Sequence, residues 1–151
     1  MDRKLDSTAS IKEELINLKE IFGIFENPKD KFLQIMDMAK DHKPLRDKHK
    51  VESNKIYGCS SQAWVVAEYH GNKTYTFHTD SDALIVKGLL KILEKIFNNQ
   101  TSEEILSVNS QYILRTIGLE GSVTSQRNNG FSSAVNKIHE IVQLIIYRKN
   151  Q

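Results

Sequence analysis

The chain has 151 residues, 39% of them hydrophobic and 26% charged, and its formal net charge is +2. This is the composition of one ordinary globular domain, residues 1–151, and the balanced charge argues against nucleic-acid or membrane partners. No run is apolar enough to span a bilayer, residues 1–10 lack the apolar stretch of a secretory signal, and a single cysteine argues against a disulfide-rich secreted domain, so a cytoplasmic location is expected.

The N-terminal part of the chain predicts two helices. Ser10 stands three residues before Glu13, as in a capping box, so the first helix should begin there. Asn27 and Pro28 suit the N-cap and the first position of a second helix, which should end before Pro44. The apolar residues at helical spacing are Ile11, Leu15, Leu18, Phe22 and Phe25 in the first helix, and Phe32, Ile35, Met36 and Ala39 in the second.

The next part of the chain predicts a polar loop followed by a β-hairpin. Residues 42–55 are rich in charged side chains and are expected to form a surface loop, with a third strand over residues 51–57 as a secondary expectation. Two runs of β-forming residues, 63–69 and 73–79, flank a Gly-Asn dipeptide of the kind found in tight hairpin turns.

The remainder of the chain predicts four helices. Asp-Ser-Asp at residues 80–82 offers caps for a helix over residues 83–97, in which Gly88 suggests the close approach of another backbone. The other helices are expected to start at Thr101, to end at Gly118 and to span residues 125–147. Helices, a hairpin and further helices in this order predict an α+β fold, a small antiparallel β-sheet covered by helices.

Cys59 is the only cysteine in the chain, so an intramolecular disulfide and a cysteine-based metal cluster are both excluded. A free cysteine is often a small buried hydrophobic residue, and that interpretation stays open. Gly58 permits an unusual backbone conformation, and the residues after Cys59 are small or polar, as in a loop that presents a thiol to another molecule. If Cys59 has a chemical role, it acts as a nucleophile, a sulfur carrier or a redox sensor.

The other candidate residues have ordinary interpretations. The five histidines have no recognised metal-binding spacing, so no metal site is predicted. Residues 124–130 suit a helix-capping loop with an exposed arginine, residues 43–50 suit a solvated loop, and Trp64 suits a core position.

Three segments together resemble the SufE/CsdE family, the sulfur-acceptor proteins of iron–sulfur cluster assembly. The first is Gly-Cys-Ser-Ser-Gln-Ala-Trp at residues 58–64, and the second is Asp-Ser-Asp-Ala-Leu-Ile-Val-Lys-Gly-Leu at residues 80–89. The third is Thr-Ser-Gln-Arg-Asn-Asn-Gly at residues 124–130. Their order and separations also fit the family, and the resemblance extends over roughly residues 28–141.

The resemblance implies a SufE/IscU-like fold, shared with the iron–sulfur scaffold proteins, and a persulfide carried on Cys59. It implies a supporting role for Arg127. The residues expected to form the mobile loop or to contact the partner are Gly58, Ser60, Ser61, Gln62, Trp64, Asp82 and Lys87. A scaffold role for this chain is disfavoured, because one cysteine supplies too few ligands for zinc or a cluster.

The expected function is that of a sulfur acceptor and activator for a PLP-dependent cysteine desulfurase, either SufS-like or CsdA-like. Sulfur would then pass to an iron–sulfur scaffold complex. PLP is expected in the partner, and no cofactor is expected in this chain. The apolar run after Cys59 predicts a shielded resting thiol that must swing out, with residues 80–82 latching the closed loop. The alternatives are an interaction module with a structural cysteine and a stand-alone thiol-dependent enzyme.

Overall fold

The computed structural model describes residues 9–151, in which six α-helices surround one two-stranded antiparallel sheet. The elements are α1 Ile11–Gly23, α2 Pro28–Met38, β1 Ala63–Tyr69, β2 Tyr75–Ser81, α3 Leu84–Phe97, α4 Ser102–Leu106, α5 Ser110–Ile117 and α6 Ser125–Lys149. The predicted α+β fold is therefore confirmed. The prediction that residues 1–10 hold no secretory signal falls mainly on residues 1–8, outside the described range.

Local signals set the ends of most helices. Ser10 and Glu13 form the predicted capping box, with reciprocal hydrogen bonds of 3.1 and 3.0 Å at the start of α1. Asn27 caps α2, and Gly118 ends α5 in the left-handed conformation, with φ of 81°. At α4 the Thr101 hydroxyl accepts its hydrogen bond from the third helical residue, as expected of an N-cap.

The hairpin differs from the prediction in its second strand. β1 has the predicted bounds, but β2 runs over Tyr75–Ser81, two residues later than expected. The turn is longer than a two-residue turn, because the backbone N–H of His70 bonds the carbonyl of Thr74 and Lys73 takes a positive φ of 69°. Asp80 therefore pairs with Trp64 at the end of the sheet.

This shift corrects the predicted capping role of residues 80–82. The N-cap of α3 is Ala83, which has no side chain able to cap. Asp80 and Ser81 are only 2% and 3% exposed, and their polar atoms bond loop residues instead. Ser81 Oγ still accepts the backbone N–H of Ala83 at 3.2 Å, but no side chain caps the first turn of α3.

The segment of residues 42–55 is more closely attached than a solvated loop. It contains two short 3₁₀ turns, and residues 51–57 form no regular strand, only a bridge between Lys55 and Trp64. The ammonium group of Lys50 lies 3.2 Å from the buried Asp80 carboxylate. The interpretation of residues 43–50 as fully solvated was therefore wrong at Lys50, because a buried carboxylate attracts a cation.

Helices α3 and α6 enclose the part of the molecule where Cys59 lies. Gly88 of α3 touches α2 so closely that a Cβ built there would lie 2.2 Å from the Ile35 carbonyl oxygen, which confirms the expected close approach. On the other side α6 buries its apolar stripe, which consists of Phe131, Ala134, Val135, Ile138 and Val142.

None of the helices in residues 9–151 has both the length and the apolar character needed to cross a membrane.

Candidate functional site

Cys59 lies on the loop that leads into β1, and this loop folds against α6. Its Sγ is 3.7 Å from the carbonyl oxygen of Gly130, so the S–H group donates to that carbonyl. The thiol is half-buried, and burial raises the pKa of Cys59 above its ordinary value. The thiol in this conformation is protonated and partly shielded.

Two glycines allow the loop to approach α6. Gly58 has a positive φ of 99°, and a Cβ there would lie 2.2 Å from the hydroxyl oxygen of Ser133. On the helix side, a Cβ at Gly130 would lie 3.2 Å from Cys59 Sγ. Gly58 was expected from the sequence. Ser133 and the direct contact at Gly130 were not, because both are brought to Cys59 only by the packing of α6.

Beneath Cys59 lies an apolar cavity of about 30 Å³, room for about one or two water-sized groups. Its apolar lining comes from both helices and consists of Val86, Leu89, Leu90, Phe131 and Ala134. Ser60, Gln126 and Arg127 complete the lining. A thiol that turns toward this cavity loses contact with water, which is the physical cause of its raised pKa.

Arg127 lies at this same cavity, although Cys59 is hydrogen-bonded to Gly130 and not to Arg127. The guanidinium carbon of Arg127 lies 5.1 Å from the centre of the Phe32 ring, in cation–π geometry. The hydroxyl of Thr124 accepts the backbone N–H of Arg127 and so caps α6. The segment therefore caps α6 as interpreted and lies near Cys59, but Arg127 is half-buried and not exposed.

The other end of the loop is joined to the start of α3 through Gln62. The backbone N–H of Gln62 donates to Asp82 Oδ1 at 3.1 Å, and the N–H of Asp82 donates to the Gln62 carbonyl at 3.2 Å. The same carbonyl accepts the Ser81 hydroxyl at 2.7 Å. This is the position expected for a latch on the closed loop, and the latching role itself stays a prediction.

Trp64 and Lys87 belong to a second cluster, centred on Asp80. The Asp80 carboxylate pairs with Lys50 at 3.2 Å, lies 3.9 Å from Lys87 Nζ, and accepts the backbone N–H groups of Leu45 and Ser81. Burial alone would raise the pKa of Asp80, but these hydrogen bonds and the Lys50 charge together lower it. Trp64 is 8% exposed beneath the Lys50 ammonium.

This Asp80 cluster was only partly foreseen. Sequence analysis singled out Lys87 and Trp64 as loop or partner-binding residues, and the structure joins them to Asp80 instead of to Cys59. Lys50 was missed because its neighbours in sequence form an ordinary run of charge.

No histidine base serves the thiol in the described residues. His42 and His139 bond backbone carbonyl oxygens, and His70 and His78 bond side chains of the hairpin. Within residues 9–151, no three His, Cys, Asp or Glu side chains converge as a metal site. Within residues 9–151, Cys59 therefore lies half-buried on a loop with Arg127 at the same cavity, and no histidine bonds its thiol in this conformation.

Comparison with known proteins assigns a family to this arrangement. A family model described as "SufE: Fe-S metabolism associated domain" matches residues 16–142. An uncharacterized SufE-like protein of Rhizobium etli is 32% identical over 122 residues, which cover 79% of this chain and 82% of that protein.

Two further proteins extend the comparison. The cysteine desulfuration protein SufE of Wigglesworthia glossinidia brevipalpis is 28% identical over 134 residues, covering 89% of this chain and 93% of that protein. The solution structure of a hypothetical protein from Thermus thermophilus superposes with a TM-score of 0.73 over 89% of this chain and 96% of that one. At 19% identity, the similarity to the Thermus thermophilus protein concerns the fold alone.

Proposed function

The chain belongs to the SufE family and works in iron–sulfur metabolism and cysteine desulfuration, and from this premise we propose that Cys59 accepts sulfur from a cysteine desulfurase. The desulfurase, SufS-like or CsdA-like, holds the sulfur of free cysteine as a persulfide. Cys59 then carries that sulfur to an iron–sulfur scaffold complex in the cytoplasm. The observation that supports this proposal most is a lone thiol on a loop, held over an apolar cavity by a small number of hydrogen bonds.

The transfer is a thiol exchange without net oxidation or reduction. The Cys59 thiol loses its proton to solvent, and the thiolate attacks the outer sulfur of the desulfurase persulfide. A new S–S bond forms to Cys59 while the S–S bond of the donor breaks, and the donor cysteine leaves as a thiolate. The desulfurase is thereby freed for another turnover, so transfer to this chain also activates the enzyme.

The closed loop cannot perform this step, because a half-buried protonated thiol is a poor nucleophile. The partner must bind the open loop more tightly than the closed one in order to shift the population. Opening breaks the contacts of Cys59 with Gly130 and of Gln62 with Asp82. PLP belongs to the desulfurase in this scheme, and this chain supplies only the thiol and its loop.

Intact-mass spectrometry tests the proposal. Wild-type protein incubated with a SufS-type desulfurase and free cysteine should gain about 32 Da, the mass of one sulfur atom transferred in thiol exchange. Cys59→Ser should gain nothing, while Ser53→Ala, a change at an exposed serine outside the Cys59 loop, should load normally. An equal gain in Cys59→Ser, or no gain in wild type, would contradict the proposal. Unchanged desulfurase stimulation by Cys59→Ser would favour an interaction module with a structural cysteine.

A further inference from the structure

An apolar groove lies between α2 and the first turn of α3, outside the cavity beneath Cys59. Its volume is about 490 Å³, and its apolar walls are Phe25, Leu33, Met36 and Leu84. Leu33 is 52% exposed and Leu84 is 45% exposed, although leucine is among the residue types most often buried. Large exposed apolar side chains from two elements that meet in one concavity are typical of an interaction surface.

The groove is close to the thiol by two routes. Leu84 is two residues from Asp82, which bonds Gln62, and Gln62 is three residues from Cys59. By the second route, Phe32 precedes Leu33 on α2 and lies beneath the Arg127 guanidinium, which also lines the Cys59 cavity. The groove and the reactive loop are therefore linked through Asp82 on one side and through Phe32 and Arg127 on the other.

The charges at the groove rim indicate which charge a complementary partner segment should carry. Asp37 is neutralised by Lys40, whose ammonium lies 3.2 Å away. The Asp30 carboxylate also lines the groove and accepts a hydrogen bond from the Asn27 side chain, and no cation of residues 9–151 forms an ion pair with it. A complementary segment would be apolar, with a basic side chain opposite Asp30.

We propose that this groove, formed by Phe25, Leu33, Met36 and Leu84, is a docking site for the cysteine desulfurase, which inserts an apolar segment carrying a basic residue. The inference rests on the proposed function. A desulfurase that delivers sulfur must bring its own sulfur atom into bonding contact with Cys59. A stable complex buries about 800 Å² on each partner, so the footprint extends well beyond the loop. Leu33 and Leu84 are exposed apolar side chains of the kind that mark interaction surfaces, and Leu84 is two residues from Asp82.

Docking here also has a consequence for the loop. The partner would sit beside Asp82, the residue that bonds Gln62 in the closed conformation. Binding energy obtained at the groove is thus available next to the contact that opening must break.

The test is a titration of desulfurase activity with the double variant Leu33→Gln/Leu84→Gln. We expect the concentration for half-maximal stimulation to rise about tenfold, as for the loss of apolar anchors at an interface, with the saturated rate unchanged. The matched control is Leu144→Gln, since Leu144 is 48% exposed but lies on α6, and it should behave as wild type. Leu33→Gln alone, which leaves the start of α3 intact, repeats the test if the double variant is unstable.

The outcomes separate the two proposals. No stimulation by wild type would overturn the proposed function and this docking site with it. Normal stimulation by wild type and an unchanged half-saturating concentration in both leucine variants would overturn the docking site alone. A wild-type dimer in sedimentation that becomes monomeric in the double variant, without change in the titration, would assign the groove to a second copy of this chain and also overturn the inference.

Discussion

Cys59 and Gly130 are in direct contact: the thiol donates to the Gly130 carbonyl at 3.7 Å, and a methyl group at residue 130 would lie 3.2 Å from the sulfur. The closed loop therefore depends on the absence of a side chain on the facing helix. Alanine is preferred to glycine in a helix by about 0.5–1 kcal/mol, so Gly130→Ala should fold well and still disturb the loop.

We predict that Gly130→Ala increases the rate at which iodoacetamide alkylates Cys59, by a few-fold, because the added methyl group displaces the sulfur from α6. Gly23→Ala is the matched control, since a Cβ at Gly23 meets no atom within 4 Å. Alkylation followed by mass spectrometry provides the rates. Equal rates in Gly130→Ala and wild type would mean that the loop absorbs the methyl group without opening.

Asp82→Ala should also open the loop, because it removes the carboxylate that accepts the Gln62 N–H. An exposed hydrogen bond contributes about 1 kcal/mol, which corresponds to an approximately fivefold larger open population. Alkylation of Cys59 should accelerate by about that factor. Asp37→Ala, which removes another exposed carboxylate away from the loop, should leave the rate unchanged. A wild-type rate in Asp82→Ala would show that the backbone bonds of Gln62 suffice.

The raised pKa of Cys59 predicts a pH dependence of both labelling and stability. The labelling rate of the folded protein should reach its midpoint above that of an unstructured cysteine peptide, whose pKa is about 8.5. The folded protein binds the thiol proton more tightly than the unfolded chain does. This contribution to stability is fully present below the unfolded pKa and is lost as the pH rises through the folded pKa.

Urea unfolding at pH 7 and pH 10 tests the stability part of that prediction. Wild type should lose more stability between the two values than Cys59→Ser, which has no thiol to ionise. Equal losses in the two proteins, or a labelling midpoint at the peptide value, would mean that the thiol is solvated in the resting state.

Arg127→Ala should reduce desulfurase stimulation at least fivefold while changing thermal stability only slightly. The cation–π contact with Phe32 contributes about 0.5–1 kcal/mol, which corresponds to a shift of roughly 1–4 °C in Tm for a chain of this length. Arg127→Lys keeps the charge without the planar stacking, and Arg148→Ala is an exposed control at the far end of α6. Full stimulation by Arg127→Ala would mean that Arg127 has only a structural role in the first turn of α6 and none in sulfur transfer.

Much of the fold could be predicted because its signals are local. The caps at Ser10 and Asn27 and the helix end at Gly118 each depend on a few neighbouring residues. The bounds of β2 could not be predicted, because they depend on distant bonds such as that from the Tyr75 N–H to the Gln100 carbonyl. That bond extends the turn and carries Asp80 into the strand.

The site residues that lie within one sequence segment could be predicted. The contacts that packing makes between distant segments could not. The Cys59 loop was expected to be functional from its residues, and the Arg127 segment only from the family resemblance. Contacts across long separations, between Cys59 and Gly130 or between Lys50 and Asp80, have no local pattern. Gly130 stood in a segment of recognised resemblance, but a glycine near a helix start does not reveal which side chain will rest against it.

Gly88 controls the groove from inside the molecule. Because Ile35 O would lie 2.2 Å from a Cβ at residue 88, any larger residue there forces α2 away from α3. The groove walls Leu33 and Leu84 stand on those two helices, so their spacing would change although neither residue had been altered. A relative with alanine at this buried position would thus have a groove of different width and bind different partners, although its surface residues were the same. Partner specificity could therefore diverge in evolution through a residue that no partner contacts.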